Sequence, residues 1–310
     1  MPRTPRRKRD FLRLTDLDRS ELLDLVERAA EWKLLGRGGP RPLEGRSLGM
    51  IFEKASTRTR VSFEVGAYQL GGNAVMLSVH DAQLGRGEPI KDTARVMARY
   101  VDAIVIRTFA HSTAEEMARY ADVPVVNALT DASHPCQLLA DLLTVAERFG
   151  ADALARGALQ VAWVGDGFNM ANSWLEACAL LGFELRLACP PGYDPDAALL
   201  ERCGGRARLV RNPAEAVTAV HVVNTDVWSS MGQEAEAEER RRRFAGFLVD
   251  EALVARARPE AIVLHCLPAH RGEEISDGVI EGPRSAVFDE AENRLHAQKA
   301  LLELLLSGDR

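Results

Sequence analysis

Ser47-Leu48-Gly49-Met50-Ile51-Phe52 is followed, after three residues, by Ser56-Thr57-Arg58-Thr59-Arg60 and then by Val61-Ser62-Phe63-Glu64. An apolar run of strand length ends, the chain turns, and a helical pattern opens at Thr59. The first amides of a helix lack partners within it and carry partial positive charge, so that end seats an anion. Three hydroxyls and two guanidinium forks at the same place match a phosphate. The same residues also suit a plain Ser/Thr cap with solvated arginines, and the five alone leave both readings open.

The rhythm of that unit repeats along the chain. Strands are predicted at Leu48–Phe52, Ala74–Leu77, Ala103–Ile106 and Val123–Asn127, then at Gln160–Val164, Glu184–Ala188, Ala219–Val223 and Ala261–His265. Helical patterns fall between them: Thr59–Leu70, Lys91–Tyr100 and Thr113–Tyr120, later Asn169–Leu181, Ala197–Cys203, Glu234–Phe247 and Glu251–Arg258. Such alternation predicts an α/β fold of two doubly wound domains with parallel sheets covered by helices. Gln137–Phe149 is the expected connection between them, and Glu290–Leu306 is a long Leu-rich last helix. In open parallel sheets ligands bind beyond the carboxyl ends of the strands. Ser56, Arg107, His134, Asn169, Asp226 and Cys266 all follow predicted strands, so they are expected to share one cleft.

The chain has 310 residues, 46% hydrophobic and 27% charged, with a net charge of −6, which fits a soluble protein large enough for two cores. No apolar run reaches the roughly 20 residues of a membrane span. Basic Pro2 to Arg9 precedes no apolar signal region, so a frayed tail is expected there rather than a secretion signal. Arg240 to Arg243 follow Glu234, Glu236, Glu238 and Glu239, an arrangement for i,i+4 pairs rather than a nucleic-acid face. Cys136, Cys178, Cys189, Cys203 and Cys266 are odd in number and scattered, as expected of reduced thiols in a cytoplasm.

Three further segments carry chemistry: His134-Pro135-Cys136-Gln137, Asp226-Val227-Trp228-Ser229-Ser230-Met231-Gly232 and His265-Cys266-Leu267-Pro268. With Ser-Thr-Arg-Thr-Arg, they make the chain, from about Phe11 onward, resemble the ornithine carbamoyltransferases, in the family these form with the aspartate carbamoyltransferases. The resemblance implies transfer of the carbamoyl group of carbamoyl phosphate to the δ-amine of L-ornithine, giving L-citrulline and phosphate, in arginine biosynthesis. It implies no cofactor and no metal. The first domain is then 1–145 with 285–310, the last helix returning to it, and the second is 146–284.

Residue by residue, the resemblance assigns carbamoyl phosphate to Ser56, Thr57, Arg58, Thr59, Gln83, Arg107, His134, Pro135, Cys136, Gln137, Cys266, Leu267 and Arg294. Arg107, His134 and Cys266 are the implied catalytic set, His134 with Arg107 and Thr59 forming an oxyanion hole. Asn169, Asp226, Ser230 and Met231 would hold ornithine: Asp226 at the α-ammonium with help from Ser230, Asn169 and the Met231 amide at the α-carboxylate. Phe168 stands where the family often has a second asparagine. Arg60 is given a structural role, and Lys54 is left between the two. Gln83 would reach into a neighbouring subunit of a homo-oligomer, expected to be a trimer with shared sites.

Other readings fit less well. Gly165-Asp166-Gly167 lacks the third glycine of a dinucleotide loop, since position 170 is Met. His265, Cys266 and His270 have poor spacing for zinc. Cys266 beside His265 lacks an evident base and orienter for nucleophilic catalysis. A silent regulatory subunit would not need both halves of the constellation. Related amines and the reverse, catabolic direction remain as alternatives.

Overall fold

The computed structural model of the chain describes residues 8–78, 87–229 and 236–307. Among these the strands are β1 (Ser47–Phe52), β2 (Asn73–Ser78), β3 (Ala103–Arg107), β4 (Val125–Leu129), β5 (Gln160–Val164), β6 (Glu184–Ala188), β7 (Ala207–Val210), β8 (Val222–Thr225) and β9 (Ile262–His265). They form two parallel sheets, ordered β2-β1-β3-β4 and β7-β6-β5-β8-β9. The central strands β1, β3, β5 and β8, and the edge strand β9, are buried along nearly their whole length, as sheets covered by helices on both faces require.

Each sheet reverses its strand order once. In the first the reversal lies between β1 and β3, where Phe52 pairs with Arg107; in the second it lies between β5 and β8, where Val164 pairs with Thr225. Crevices for ligands open beyond the carboxyl ends of strands at such points. Ser56 and Arg107 stand at one reversal, Asn169 and Asp226 at the other.

The helix Pro135–Phe149 leads from one sheet toward the other. The last helix, Val287–Leu306, lies against it and against the helices Arg19–Leu35 and Thr57–Gln69. Glu303 accepts from Arg28 Nε and Trp32 Nε1, both at 2.7 Å, and Lys299 reaches Gln69 Oε1 at 3.1 Å. The last helix therefore packs on the first sheet's domain. No helix among the described residues is long and apolar enough to cross a membrane.

Several boundaries differ from the sequence reading. The fourth strand starts at Val125 rather than Val123, because Pro124 has no N–H to donate and offers only its carbonyl, to Ile104. The eighth starts at Val222 rather than Ala219, whose φ of 56° is not extended. The expected helix Glu234–Phe247 is Ala237–Arg243 among the described residues, ending near Gly246 at φ 94°. Its arginines pair with acids as the charge pattern predicts, Arg242 with Glu238 and Arg243 with Glu239. Lys8 and Arg9 are not part of a frayed tail: Lys8 pairs with Asp10 and Arg9 with Glu21. The helix Arg19–Leu35, opened by the capping box of Asp18 and Glu21, and the strand β7 were not foreseen.

Candidate active site

The helix Thr57–Gln69 begins two residues earlier than its sequence pattern suggests. Ser56 is its cap: the Ser56 hydroxyl accepts from the Thr59 amide at 3.3 Å and donates to Thr59 Oγ1 at 3.0 Å. Thr57, Arg58 and Thr59 thus form the first turn, where the free amides point. Arg60 faces outward and its Nε pairs with Glu64 Oε1 at 2.9 Å, so it stands apart from the cleft. Lys54 lies over the Phe109 ring, 4.0 Å from its centroid.

A cavity of about 490 Å³ opens at this turn. Its wall carries Ser56, Thr57, Arg58, Thr59, Arg107, His134 and Arg294, and across from them Asn169, Asp226, Cys266 and Leu267. All six residues expected at strand ends meet here. Lys54, Phe168, Pro268 and His270 also line it, and none of these had a binding role assigned.

The anion side holds three cations with few internal anions among them. Arg294, 3% exposed, donates to Gln137 Oε1 at 2.6 Å and to Thr59 Oγ1 at 3.1 Å. Arg107 reaches Thr59 Oγ1 only at 3.5 Å, and its Nε is buried without a partner. Burial, reinforced by Arg294 and Arg58, pushes the Arg107 pKa down to about 10. The same burial and the same arginines hold His134 well below its ordinary range, so its imidazole is neutral at pH 7. His134 Nδ1 is buried and unpartnered. Repelling cations and orphaned polar atoms are the signature of a site completed by an anion.

The other wall is acidic and mildly nucleophilic in composition. Cys266 Sγ donates to Asp226 Oδ1 at 3.0 Å, and the Val227 amide donates to the same oxygen at 2.8 Å. Burial, then Asp226, pushes the Cys266 thiol well above its ordinary 9.0, which keeps it protonated. Asp226 is itself raised by burial. Leu267 sits at φ 56°, a left-handed conformation that costs a branched-chain residue energy. His265 holds that turn: its Nδ1 accepts from the Leu267 amide at 2.9 Å, while its Nε2 donates to Glu274 Oε1 at 3.1 Å. Asn169 Nδ2 donates to the Thr130 carbonyl at 2.8 Å, so this residue already bridges the two sides.

Three assigned residues do not reach the cavity wall. Gln137 is engaged at both ends, accepting from Arg294 and donating to Asp141 Oδ1 at 2.9 Å and Glu290 Oε1 at 2.6 Å. Cys136 turns into the core and donates to the Asn127 carbonyl at 3.3 Å; burial lifts its thiol to about 12. Pro135 occupies the first position of its helix, where a missing N–H costs nothing. Their helix presents its polar start to the cleft through His134 and its side chains to the interior. Gln83, Ser230 and Met231 lie outside the described residues.

Sequence reasoning missed the pair beneath the site. Asp141 and Glu290 are both fully buried, joined through Gln137, and Asn224 Nδ2 approaches Asp141 Oδ2 at 3.4 Å. Glu290 Oε2 accepts from the His265 amide at 2.8 Å, one residue before Cys266. Burial raises Asp141 to about 7, and burial together with Asp141 raises Glu290 well above the carboxylate range. The two carboxyls repel each other in a buried setting, so it is the pair, not either residue alone, that is biased toward holding a proton. The spacing of Asp141 four residues after Gln137 was the available signal.

Fold and site define an α/β protein with two parallel sheets whose strand-order reversals face one cleft, lined by arginines on one side and by a carboxylate and a thiol on the other. Family models agree with that class. Residues 9–147 match the aspartate/ornithine carbamoyltransferase carbamoyl-P binding domain, and residues 158–305 match the Asp/Orn binding domain of the same family. The chain belongs to the aspartate/ornithine carbamoyltransferase family. It is 56% identical over 307 residues to an ornithine carbamoyltransferase of Pelobacter propionicus, covering 97% of this chain and 99% of that one. It is 54% identical over 303 residues to the anabolic ornithine carbamoyltransferase of Pseudomonas aeruginosa, covering 96% and 97%. The ornithine carbamoyltransferase structure from Pyrococcus furiosus superposes with a TM-score of 0.92 at 49% identity, covering 98% of each chain.

Proposed function

We propose that the chain is an ornithine carbamoyltransferase working in the direction of citrulline formation for arginine biosynthesis. The observation that carries this reading is the meeting of an orphaned cation cluster with a carboxylate–thiol wall in one cavity. Carbamoyl phosphate supplies the dianion that Arg58, Arg107, Arg294 and the first turn at Ser56–Thr59 lack. Its carbonyl oxygen then faces neutral His134 and Arg107, which stabilise negative charge there without a proton transfer. Donors of this kind are worth about 3 kcal/mol each in the barrier.

Asp226 takes the α-ammonium of ornithine and Asn169 its α-carboxylate. The δ-amine comes to the Cys266–Leu267 turn. A free alkyl ammonium has a pKa of roughly 10.4, so deprotonation at pH 7 costs about 4.6 kcal/mol. Burial beside Cys266 and Leu267 lowers that cost. The amine nitrogen bonds to the carbamoyl carbon, whose double bond opens to an oxyanion. The nitrogen passes its extra proton to the departing phosphate as the carbonyl re-forms and the carbon–oxygen bond to phosphate breaks, releasing hydrogen phosphate. Cys266, a protonated thiol donating to Asp226, orients that carboxylate and is not the nucleophile.

Three finer points belong to the same proposal. The domains divide as 1–145 with 285–310 and 146–284, supported by the bonds of the last helix to Arg28, Trp32 and Thr59. The protein assembles as a trimer. Exposed Val61, Val65 and Tyr68, one face of the helix that opens at the anion site, supply an apolar surface for it. The enzyme works in the cytoplasm. The test of the reading is release of phosphate together with formation of the carbamoylated amine from carbamoyl phosphate with L-ornithine, L-aspartate or putrescine as acceptor, the ornithine product being citrulline. Turnover is expected with ornithine; preference for either other amine would reject the assignment of Asp226 and Asn169.

A further inference from the structure

One face of the helix Asn169–Leu181 is laced to the segment that presents His134. Asn169 Nδ2 donates to the Thr130 carbonyl at 2.8 Å, and Asn172 Nδ2 to the Ala132 carbonyl at 3.4 Å. Ser173, fully buried, accepts from the His134 amide at 2.8 Å. Its own hydroxyl proton goes to the Asn169 carbonyl at 2.8 Å, so at the 3.1 Å contact with Ser133 Oγ it is Ser133 that donates. Residues 169, 172 and 173 are spaced to share one helix face. The main-chain amide of His134 therefore hangs from a side chain one turn beyond Asn169, on the opposite sheet's helix. His134 is the capping residue of Pro135–Phe149 yet caps it with no side-chain bond, and its ring nitrogen Nδ1 has no partner. Its carbonyl accepts from the Gln137 and Leu138 amides of its own helix, and its amide is held by Ser173.

We propose that Ser173 is a positioning residue that couples occupation of the amine-substrate wall to the placement of His134 at the carbamoyl carbon. The inference rests on the substrate reading above. A ligand held by Asn169 fixes the first turn of its helix. Through Ser173 that turn sets the His134 backbone, and so the direction of its imidazole. Coupling of two sites is a free energy that acts equally in both directions. Bound carbamoyl phosphate must then tighten the amine-substrate wall, and Ser173 must carry a share of that effect.

The experiment uses the full chain and two probes that do not react together: carbamoyl phosphate and L-2-aminopentanoate, which is ornithine without its δ-amine. The affinity for the amino acid is measured by calorimetry with and without saturating carbamoyl phosphate, in wild type and Ser173→Ala. Wild type is expected to bind the amino acid at least ~5-fold more tightly with carbamoyl phosphate present, within the usual range for coupled sites. In the variant the enhancement should shrink to about 2-fold or less. Its KM for carbamoyl phosphate should stay near the wild-type value while kcat falls about 10-fold. Should the alanine protein not fold, Ser173→Cys keeps the size with a poorer acceptor and should show the same loss of enhancement in smaller degree. Unchanged enhancement in a folded variant, or parallel loss of both affinities, would overturn the proposal. A wild type that binds neither probe would overturn the substrate reading itself, and the coupling with it.

Discussion

Arg107→Met should make the unliganded protein more stable, not less. The Arg107 pKa falls from its ordinary 12.5 to about 10 because the folded site buries the charge beside Arg294 and Arg58. A displacement of that size corresponds to roughly 3 kcal/mol against the charged form. The sign follows from proton counting. Between pH 10 and 12.5 the unfolded chain keeps a proton that the folded chain has lost, so stability rises with pH through that window. Below pH 10 both states are protonated and the full penalty stands. Methionine keeps most of the apolar stem and removes the charge. What is lost is small: one contact at 3.5 Å and a guanidinium Nε that has no partner. A gain on the order of 1–3 kcal/mol is expected at pH 7 without an anion, or ~2–12 °C in thermal midpoint. Wild type should gain stability when inorganic phosphate or carbamoyl phosphate is added, because the dianion relieves the same repulsion. The variant should gain far less. Thermal unfolding of both proteins, with and without phosphate, reads all of this. A variant that melts below wild type without an anion, yet responds to phosphate as wild type does, would refute the reasoning.

The remaining expectations test the other wall and a control. Asp226→Asn keeps size and removes charge; ornithine KM should rise by at least ~10-fold, as expected for losing a charge-assisted bond, while calorimetric binding of carbamoyl phosphate stays. Equal loss of both ligands would show instead that Asp226 supports the fold. Cys266 should react slowly with iodoacetamide at pH 8, with a rate still climbing above pH 9, because burial and Asp226 keep the thiol protonated. A fast reaction with a plateau near pH 7 would contradict that environment. Arg60→Ala should leave KM and kcat within about 2-fold and cost only ~0.3–0.5 kcal/mol of stability, the value of an exposed i,i+4 pair. A large rise in the carbamoyl phosphate KM would return Arg60 to the site.

Much of the site could be read from the chain because strand polarity is written in it. An apolar run followed by a polar motif fixes which end of the strand the motif occupies, and parallel sheets bring those ends together. Ser56, Arg107, His134, Asn169, Asp226 and Cys266 were legible for that reason. The roles of Gln137 and Cys136 were less so. His134-Pro135-Cys136-Gln137 reads as one cluster, but successive helical residues point in different directions, and only His134 faces the cavity. Glu290 and Ser173 owe their importance to partners 39 or more residues away, such as Gln137, 153 residues from Glu290, and Asp141 also approaches Asn224, 83 residues on. Apart from the four-residue spacing of Gln137 and Asp141, nothing local marks such pairs. The strand β7 was missed because Ala207-Arg208-Leu209-Val210 is only four residues long and its apolar run is broken by the exposed Arg208, as edge strands often are.

The central claim is that ornithine attacks carbamoyl phosphate directly, with both held in one cleft between the two sheets. A rapid-quench single turnover with isotope-labelled carbamoyl phosphate tests it, following the label in product and in protein by mass spectrometry. The label should pass to citrulline without a lag, at no time bound to the chain, and only when ornithine is present. Label found covalently on Cys266 before citrulline forms would contradict the account.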